Sequence, residues 1–300
     1  MRALYTIRID CSRDDNTVIT YIDRGSAGLR CASHMTSFAG ASLLPDLKKT
    51  LLFKNRDLVT SEHTDTISYD MDCFGVRGLI GGLSIGVNRH GLAVANTLVR
   101  ETEDTSPHIL TEQLLMFSKS AEDAMTMTVN QLRKGSRYQW SNLILADNDS
   151  LMVIELAGDD HSIERSTRGV IRTGHHIMLD TEETLRHDNE EKYDHSVRRV
   201  ERGYELVRRV SQVKDVFDLL KDHGERSGSA SICRHGEEGE EATEVSYVIE
   251  VDHESDTGRP RMMIHVARGY PCQATYTSIP LIFPADEEII KRANQLYFGE

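Results

Sequence analysis

The sequence predicts a layered α+β fold, an αββα sandwich in which two mainly antiparallel sheets pack face to face with helices outside. Two observations carry that expectation. Short β-patterned runs recur in pairs joined by turn chemistry, and longer helical stretches separate the pairs. A chain of 300 residues can also bury a sizeable core, in one large domain or two small ones.

Residues 1–34 fit this layering least well. Tyr5–Ile9 and Thr17–Ile22 alternate like two short strands around Asp14-Asp15-Asn16, and Arg24–Gly28 reads as a linker. A propeptide and an appended hairpin are both open readings of this segment. Residues 35–300 read as a single domain.

The chain is organised around Thr36 to Asp57, TSFAGASLLPDLKKTLLFKNRD. Thr36-Ser37-Phe38-Ala39 is small and β-compatible. Leu44-Pro45-Asp46-Leu47 carries turn chemistry, with Pro fixing φ and Asp able to cap its own backbone. Thr50-Leu51-Leu52-Phe53 then reads as an apolar strand that stops at Lys54-Asn55-Arg56-Asp57. Two cations, an amide and a carboxylate are an odd end for a structural hairpin. Folding about Pro45-Asp46 brings positions near 35 and 36 opposite Asn55, Arg56 and Asp57. That sets a hydroxyl beside a charged cluster, as nucleophilic catalysis needs.

Further along, Gly81–Asn88 turns at Arg89-His90-Gly91 into Leu92–Asn96, with Gly91 where positive φ is expected. These glycines form no phosphate loop, because GxxxxGK[ST] is absent. Helices open at Thr111 and at Ser120, the second with Ser120 as N-cap and Glu122 and Asp123 in its first turn. Trp140–Asp147 and Ser150–Leu156 pair as strands. Gly169–His176 is a short strand ending in two histidines. Glu182–Arg209 is a charged helix with one apolar stripe, Val197, Val200, Tyr204, Leu206 and Val207. Its Arg198-Arg199, Arg202 and Arg208-Arg209 read as the solvated face. Val213–Asp222 is a shorter helix before His223, and Thr243–Val251 with Arg261–Ala267 make a last strand pair.

Composition narrows the function classes. A formal net charge of −13 and a pI near 5.5 argue against nucleic-acid or anionic-membrane surfaces, which need basic patches. No apolar run approaches the roughly 20 residues of a membrane span, and the start lacks the apolar core of a signal peptide. The expectation is a cytoplasmic protein. Five cysteines (Cys11, Cys31, Cys73, Cys233 and Cys272) favour reduced thiols over a disulfide framework. None forms a CxxC pair, so no structural zinc site is expected, and Cys233 and Cys272 read as packed core thiols.

The stretch TSFAG, turn, LLFKNRDL resembles the first hairpin of the N-terminal-nucleophile hydrolases related to penicillin acyltransferase and choloylglycine hydrolase. Their pattern there is Cys-Thr-Ser-Phe, hairpin, Gly-Arg/Lys-Asn-x-Asp. GVNRHGLAVAN resembles a second family block, and Asn-Leu-Ile-Leu-Ala-Asp followed by Val-Ile-Glu a third. Thr173-Gly174-His175 falls where the family has Thr-Asn-His. Leu-Leu-x-Asp-His, Ile-Cys-Arg-His and Gly-x-Pro-Cys complete the order, so the resemblance spans about residues 35–280.

The resemblance implies the αββα fold and amide-bond hydrolysis or acyl transfer on a small N-acyl compound or peptide, with no cofactor. Family enzymes cut their own chain before the cysteine, and the freed α-amine serves as base. Here Met35 stands in the cysteine's place. Thr36 is one candidate nucleophile, since threonine with its own amine is an established chemistry. Cys31 is the rival, a better nucleophile but several residues early. A chain with neither reaction is the third option. By the same resemblance Asp57 would hold the α-amine, Arg56 or Lys54 would supply a cation, and Asn96 and Asn142 would donate to an oxyanion. His175 matches the family histidine, and the Gly174 N–H would replace the absent asparagine amide. A metal shared by His175 and His176 is not expected, because neighbours on a strand face opposite sides. The alternative is a non-catalytic binding protein on the same scaffold, as Met35 and Gly174 suggest. The acyl group, the acceptor and any homo-oligomer stay open.

Overall fold

The computed structural model describes residues 37–59, 66–78, 81–236, 240–254 and 258–299, within one unit, His34–Glu300. Thr36, Cys31 and the expected boundary at residue 34 lie outside the described residues. The chain begins with β1 (Ser37–Leu44), a 3₁₀ turn at Pro45–Leu47, and β2 (Lys49–Leu58). Four strands follow: β3 (Ile67–Tyr69), β4 (Cys73–Arg77), β5 (Leu83–Asn88) and β6 (Ala93–Arg100). Two helices, α1 (Pro107–Phe117) and α2 (Ala121–Arg133), lead into β7 (Tyr138–Ala146), β8 (Leu151–Gly158), β9 (Asp160–Ser166) and β10 (Gly169–Arg172). Then come α3 (Glu182–Val207) and α4 (Val213–Leu220). The chain ends with β11 (Ala242–Asp252), β12 (Arg261–Arg268), β13 (Thr277–Leu281) and α5 (Glu287–Phe298).

Two antiparallel sheets result. One has six strands in the order β10-β1-β2-β11-β12-β13, and the other runs β3 to β9 in chain order. Three apolar clusters define the layers. The largest lies between the sheets and joins Ala39, Leu52, Tyr247 and Ile249 of one to Phe74, Ile85, Ala95 and Ile144 of the other. A second covers the outer face of the seven-stranded sheet with Leu110, Leu114 and Ala124 of α1 and α2. The third seats Val200, Val207, Val216 and Leu220 of α3 and α4 against Phe38, Leu51 and Phe53. The expected αββα sandwich is the fold observed, with α5 added: Ala293 and Tyr297 reach the central core.

Local chemistry explains the element ends. Ser120 Oγ accepts from Asp123 N at 3.1 Å, the N-cap that the sequence indicates for α2. Gly91 adopts φ 86 at the β5–β6 turn, where any Cβ would be strained. The apolar strand after the first turn does not stop at Phe53. It runs through Lys54-Asn55-Arg56-Asp57 to Leu58, because β1 pairs with one edge (Ser37 opposite Arg56) and β11 with the other. Paired on both sides, these backbone groups have a ladder to join whatever side chains they carry. β10 in turn ends at Arg172, so His175 and His176 lie in the following loop and not on a strand.

α3 sits close to the six-stranded sheet because Gly203 leaves no side chain in the way. A Cβ there would come within 2.8 Å of Phe38 Cε2 and 2.9 Å of Ile171 Cγ2, both in the packed layer. We expect Gly203→Val to cost about 1–3 kcal/mol by overpacking, outweighing the roughly 1 kcal/mol helix penalty of glycine. Urea unfolding of wild type and variant reads this difference; equal midpoints would contradict it.

Candidate active site

Side chains alternate along β2, and that alternation splits the four-residue polar cluster. Leu52 faces the other sheet, and so do Lys54 and Arg56; Leu51 and Phe53 face α3 and α4, and so do Asn55 and Asp57. Lys54 is buried between the sheets. Its Nζ donates to Ser84 Oγ at 2.7 Å and to the Asn96 carbonyl at 2.6 Å. Arg56, also buried, and Lys54 are the cations felt by His108 of α1. The expected single corner of Lys54 through Asp57 is therefore two sites on opposite faces.

Asp57 is fully buried. Arg199 Nη2 of α3 reaches its Oδ2 at 2.6 Å, and the Thr243 hydroxyl of β11 donates to its Oδ1 at 2.8 Å. A β-bulge creates the second contact: the register shifts between Thr243 and Val245, so that Thr243 stands opposite Asp57. Burial outweighs the pull of Arg199, Arg234 and Thr243, so the Asp57 carboxyl lies above its usual range. Arg199 is thus no solvated residue of α3, although Arg198, Arg208 and Arg209 are exposed as expected. It lies on the buried stripe Tyr193, Ser196, Val200, Gly203 and Val207, and that position was the available signal.

A cavity of about 10 Å³, on the order of one water, lies beside this pair. Gly174, Lys192, Ser196, Arg199 and Arg234 line it. Arg199 Nε is buried and has no acceptor among the described residues. Arg234 also pairs with Glu241, and its backbone N–H donates to Thr243 Oγ1 at 2.9 Å. Three cations line it, Arg199 paired with Asp57 and both Lys192 and Arg234 with Glu241, so they outnumber their carboxylates by one.

The two asparagines take other roles. Asn96 Nδ2 donates to Leu83 O at 3.0 Å and Thr111 Oγ1 at 2.8 Å. Asn142 Nδ2 faces three acceptors: Thr97 Oγ1, Thr173 O and His175 O, at 2.9, 3.0 and 3.2 Å. An amide has two N–H bonds, so neither residue keeps one for a substrate oxyanion in this arrangement. Both brace the backbone around the site instead. His175 is buried, with Nδ1 2.7 Å from Ser196 Oγ, and its ring edge meets Tyr193. Burial pushes its pKa down to about 4. His176 points elsewhere, its Nδ1 3.1 Å from Thr181 Oγ1.

Glu155 of β8 holds this loop in place. Its carboxylate accepts from the backbone N–H of Ile177, Met178 and Leu179 at 2.8–2.9 Å and from Arg172 Nε at 3.0 Å. Burial works against the charge, yet Arg172 and the three amides keep the Glu155 carboxyl below its usual range. Cys233 and Cys272 are gathered with His223 and His235.

Two antiparallel sheets between helix layers, with a buried charge cluster where the first hairpin ends, are the architecture of the N-terminal-nucleophile hydrolase fold. The chain belongs to the acyl-coenzyme A:6-aminopenicillanic acid acyl-transferase family, whose model matches residues 46–254. That span includes Lys54, Arg56, Asp57, Asn96, Asn142 and His175, and excludes Thr36 and Cys31. Among solved structures, penicillin V acylase from Agrobacterium tumefaciens is similar with TM-score 0.50 and 12% identity, over 82% of this chain and 86% of that one. A mutant conjugated bile acid hydrolase from Clostridium perfringens has TM-score 0.48 and 10% identity, over 80% and 91% of the two chains. No curated protein sequence matches. Among the described residues no helix is long and apolar enough to cross a membrane.

The Asp57–Arg199 pair is fully desolvated, so removing one partner should be far costlier than for a surface pair. We expect Arg199→Ala to destabilise by about 3–5 kcal/mol, and Asp57→Asn combined with Arg199→Met to recover part of that loss. Denaturant unfolding of both proteins reads it, and a loss under 1 kcal/mol would show that the pair does not hold α3 in place.

His175 titrates at about 4 when folded but near 6.5 when unfolded, because burial favours the neutral ring. Its contribution is complete above pH 6.5 and lost as pH falls toward 4, by roughly 3 kcal/mol. Unfolding free energies measured between pH 7 and 4 should therefore fall less steeply in His175→Gln than in wild type.

Proposed function

We propose that this chain cleaves, or transfers the acyl group from, the amide bond of a small N-acyl compound or short peptide, with Thr36 as nucleophile. The peptide bond between Met35 and Thr36 is hydrolysed first, freeing the Thr36 α-amine. That amine takes the hydroxyl proton as the oxygen attacks the substrate carbonyl. The tetrahedral oxyanion is met by the Gly174 N–H and Arg199 Nε, the latter a buried donor with no acceptor among the described residues. The amine product leaves with the proton, and water or a second amine resolves the acyl-enzyme. Asp57 holds the α-amine.

One observation carries this reading. Thr36 is bonded to Ser37, the last described residue of a ladder whose partner is Arg56, and the next residue on β2 is the buried Asp57. Cys31 stands further back in the chain and is the competing nucleophile. A binding protein on the same scaffold is favoured by a different observation: the amides of Asn96 and Asn142 are both engaged by protein acceptors.

Intact mass and N-terminal sequencing of the purified protein, with and without a β-lactone acylating probe, test the proposal. A mature chain starting at Thr36 and a probe adduct on it are the expected results, with both lost in Thr36→Ala. A chain starting at Cys31 with the adduct there transfers the role to that thiol. An unprocessed terminus without adduct or amide turnover overturns the reaction in favour of the binder.

A further inference from the structure

Four side chains from the connections after α4 and after β12 converge in a way that packing alone does not explain. His223 follows the end of α4, Cys233 and His235 lie in the loop before β11, and Cys272 lies between β12 and β13. Their ligand atoms all fall within 4.8 Å of one another. His235 Nε2 stands 3.0 Å from His223 Nε2, 3.5 Å from Cys233 Sγ and 3.4 Å from Cys272 Sγ. One imidazole nitrogen offers a single proton or a single lone pair, so it cannot hydrogen-bond all three neighbours. Convergence on a common centre removes the difficulty.

We propose that His223, Cys233, His235 and Cys272 form a structural zinc site. Zinc bound tetrahedrally at about 2.0–2.1 Å to nitrogen and 2.3 Å to sulfur would separate its ligand atoms by about 3.4 Å (N to N), 3.6 Å (N to S) and 3.8 Å (S to S). The three distances from His235 Nε2 lie a few tenths of an ångström or less from these edges, and all the ligand atoms fall within 4.8 Å of one another, which a small closing movement would bring to the tetrahedral values. Two thiolates and two neutral imidazoles balance the charge of the dication, and this mixed soft set suits zinc over calcium or magnesium. Binding releases the two thiol protons to solvent. All four positions are protein ligands, so no site remains for a catalytic water and the ion is structural.

The surroundings are built as a support for such a centre. Tyr270 stacks on the His235 ring at 4.0 Å. Cys233 N donates to Asp222 O at 3.0 Å, joining the two strips of chain that carry His223 and Cys233. Asn55 of β2 donates through Nδ2 to Leu220 O at 2.9 Å and Ile232 O at 3.0 Å, three residues before His223 and one before Cys233. Cys233 and His235 also flank Arg234, whose side chain lines the cavity by Asp57. The metal would therefore tie α4, the loop before β11 and the β12–β13 connection together, and fix Arg234. This inference does not depend on which residue is the nucleophile.

The test is metal analysis of the full chain, purified without chelator and with any affinity tag removed. About one zinc per chain is expected by elemental mass spectrometry. Replacement by cobalt should give the visible bands of a tetrahedral ion together with sulfur-to-cobalt charge transfer in the near ultraviolet. Chelation should lower the melting temperature. Cys272→Ser and His223→Ala should each lose the metal, while Cys73→Ser, outside the cluster, should keep it. Wild-type protein that holds no zinc and gives no cobalt spectrum after reduction, or a Cys233–Cys272 disulfide found by peptide mapping of freshly isolated protein, would overturn the site whatever the variants do.

Discussion

A carboxylate with no exposure to water stays charged only if cations and hydrogen-bond donors take the solvent's place, and Asp57 imposes that demand on three elements of this molecule at once. Arg199 must come down from α3, Thr243 must be turned toward it by a bulge in β11, and β2 must bring the carboxylate to meet them. An exposed ion pair contributes under about 1 kcal/mol and could not set such an arrangement, whereas breaking a buried pair leaves an uncompensated charge. The small Gly203 on the same face of α3 serves the same end, since the guanidinium reaches Asp57 only if the helix lies close to the sheet.

The alternation of β2 then turns one polar run into two fastenings. Toward the central layer, Lys54 crosses to Ser84 and to the Asn96 carbonyl and so links the two sheets at a point where apolar contact alone would leave them free to slide. Toward the helices, Asn55 grips the end of α4 and the loop at Ile232. The same four residues therefore hold the sandwich together from its middle, and they leave one charged face by the cavity and another in the core.

Much of this was legible in the sequence wherever the cause was local. The paired runs became hairpins, Ser120 capped its helix, and Gly91 took the conformation that its turn required. The misreadings share one cause: a distant partner. Lys54 to Asp57 looked like a strand end because four polar residues seldom lie inside a sheet, and nothing local reveals an arginine 142 residues away. Arg199 looked solvated because most helix arginines are, though its place on the stripe with Ser196, Val200 and Gly203 argued otherwise. The asparagines looked like oxyanion donors until their acceptors, in the loop after β10 and on α1, were visible. The cysteine and histidine cluster was hidden because its only short spacing is Cys233-Arg234-His235, with His223 ten residues earlier in the same connection and Cys272 in the connection between β12 and β13.

The loop from Thr173 to Thr181 is where the departure from the related pattern is felt most. A side-chain amide donor brings its own rotamer freedom and must be held by neighbours, whereas a backbone N–H is as rigid as the loop that carries it. Glu155 supplies that rigidity by binding three consecutive amides from Ile177 to Leu179, while Arg172 fixes the carboxylate from the other side. Asn142 closes the opposite end by donating to the Thr173 and His175 carbonyls, on either side of Gly174. In the proposed reaction, Gly174 is thus a donor whose position is set by its two neighbours' carbonyls and by a buried carboxylate further along. Asn142 then serves the oxyanion indirectly, by positioning the backbone in place of offering its own amide. The absence of an asparagine at 174 is compatible with catalysis only while that bracing holds.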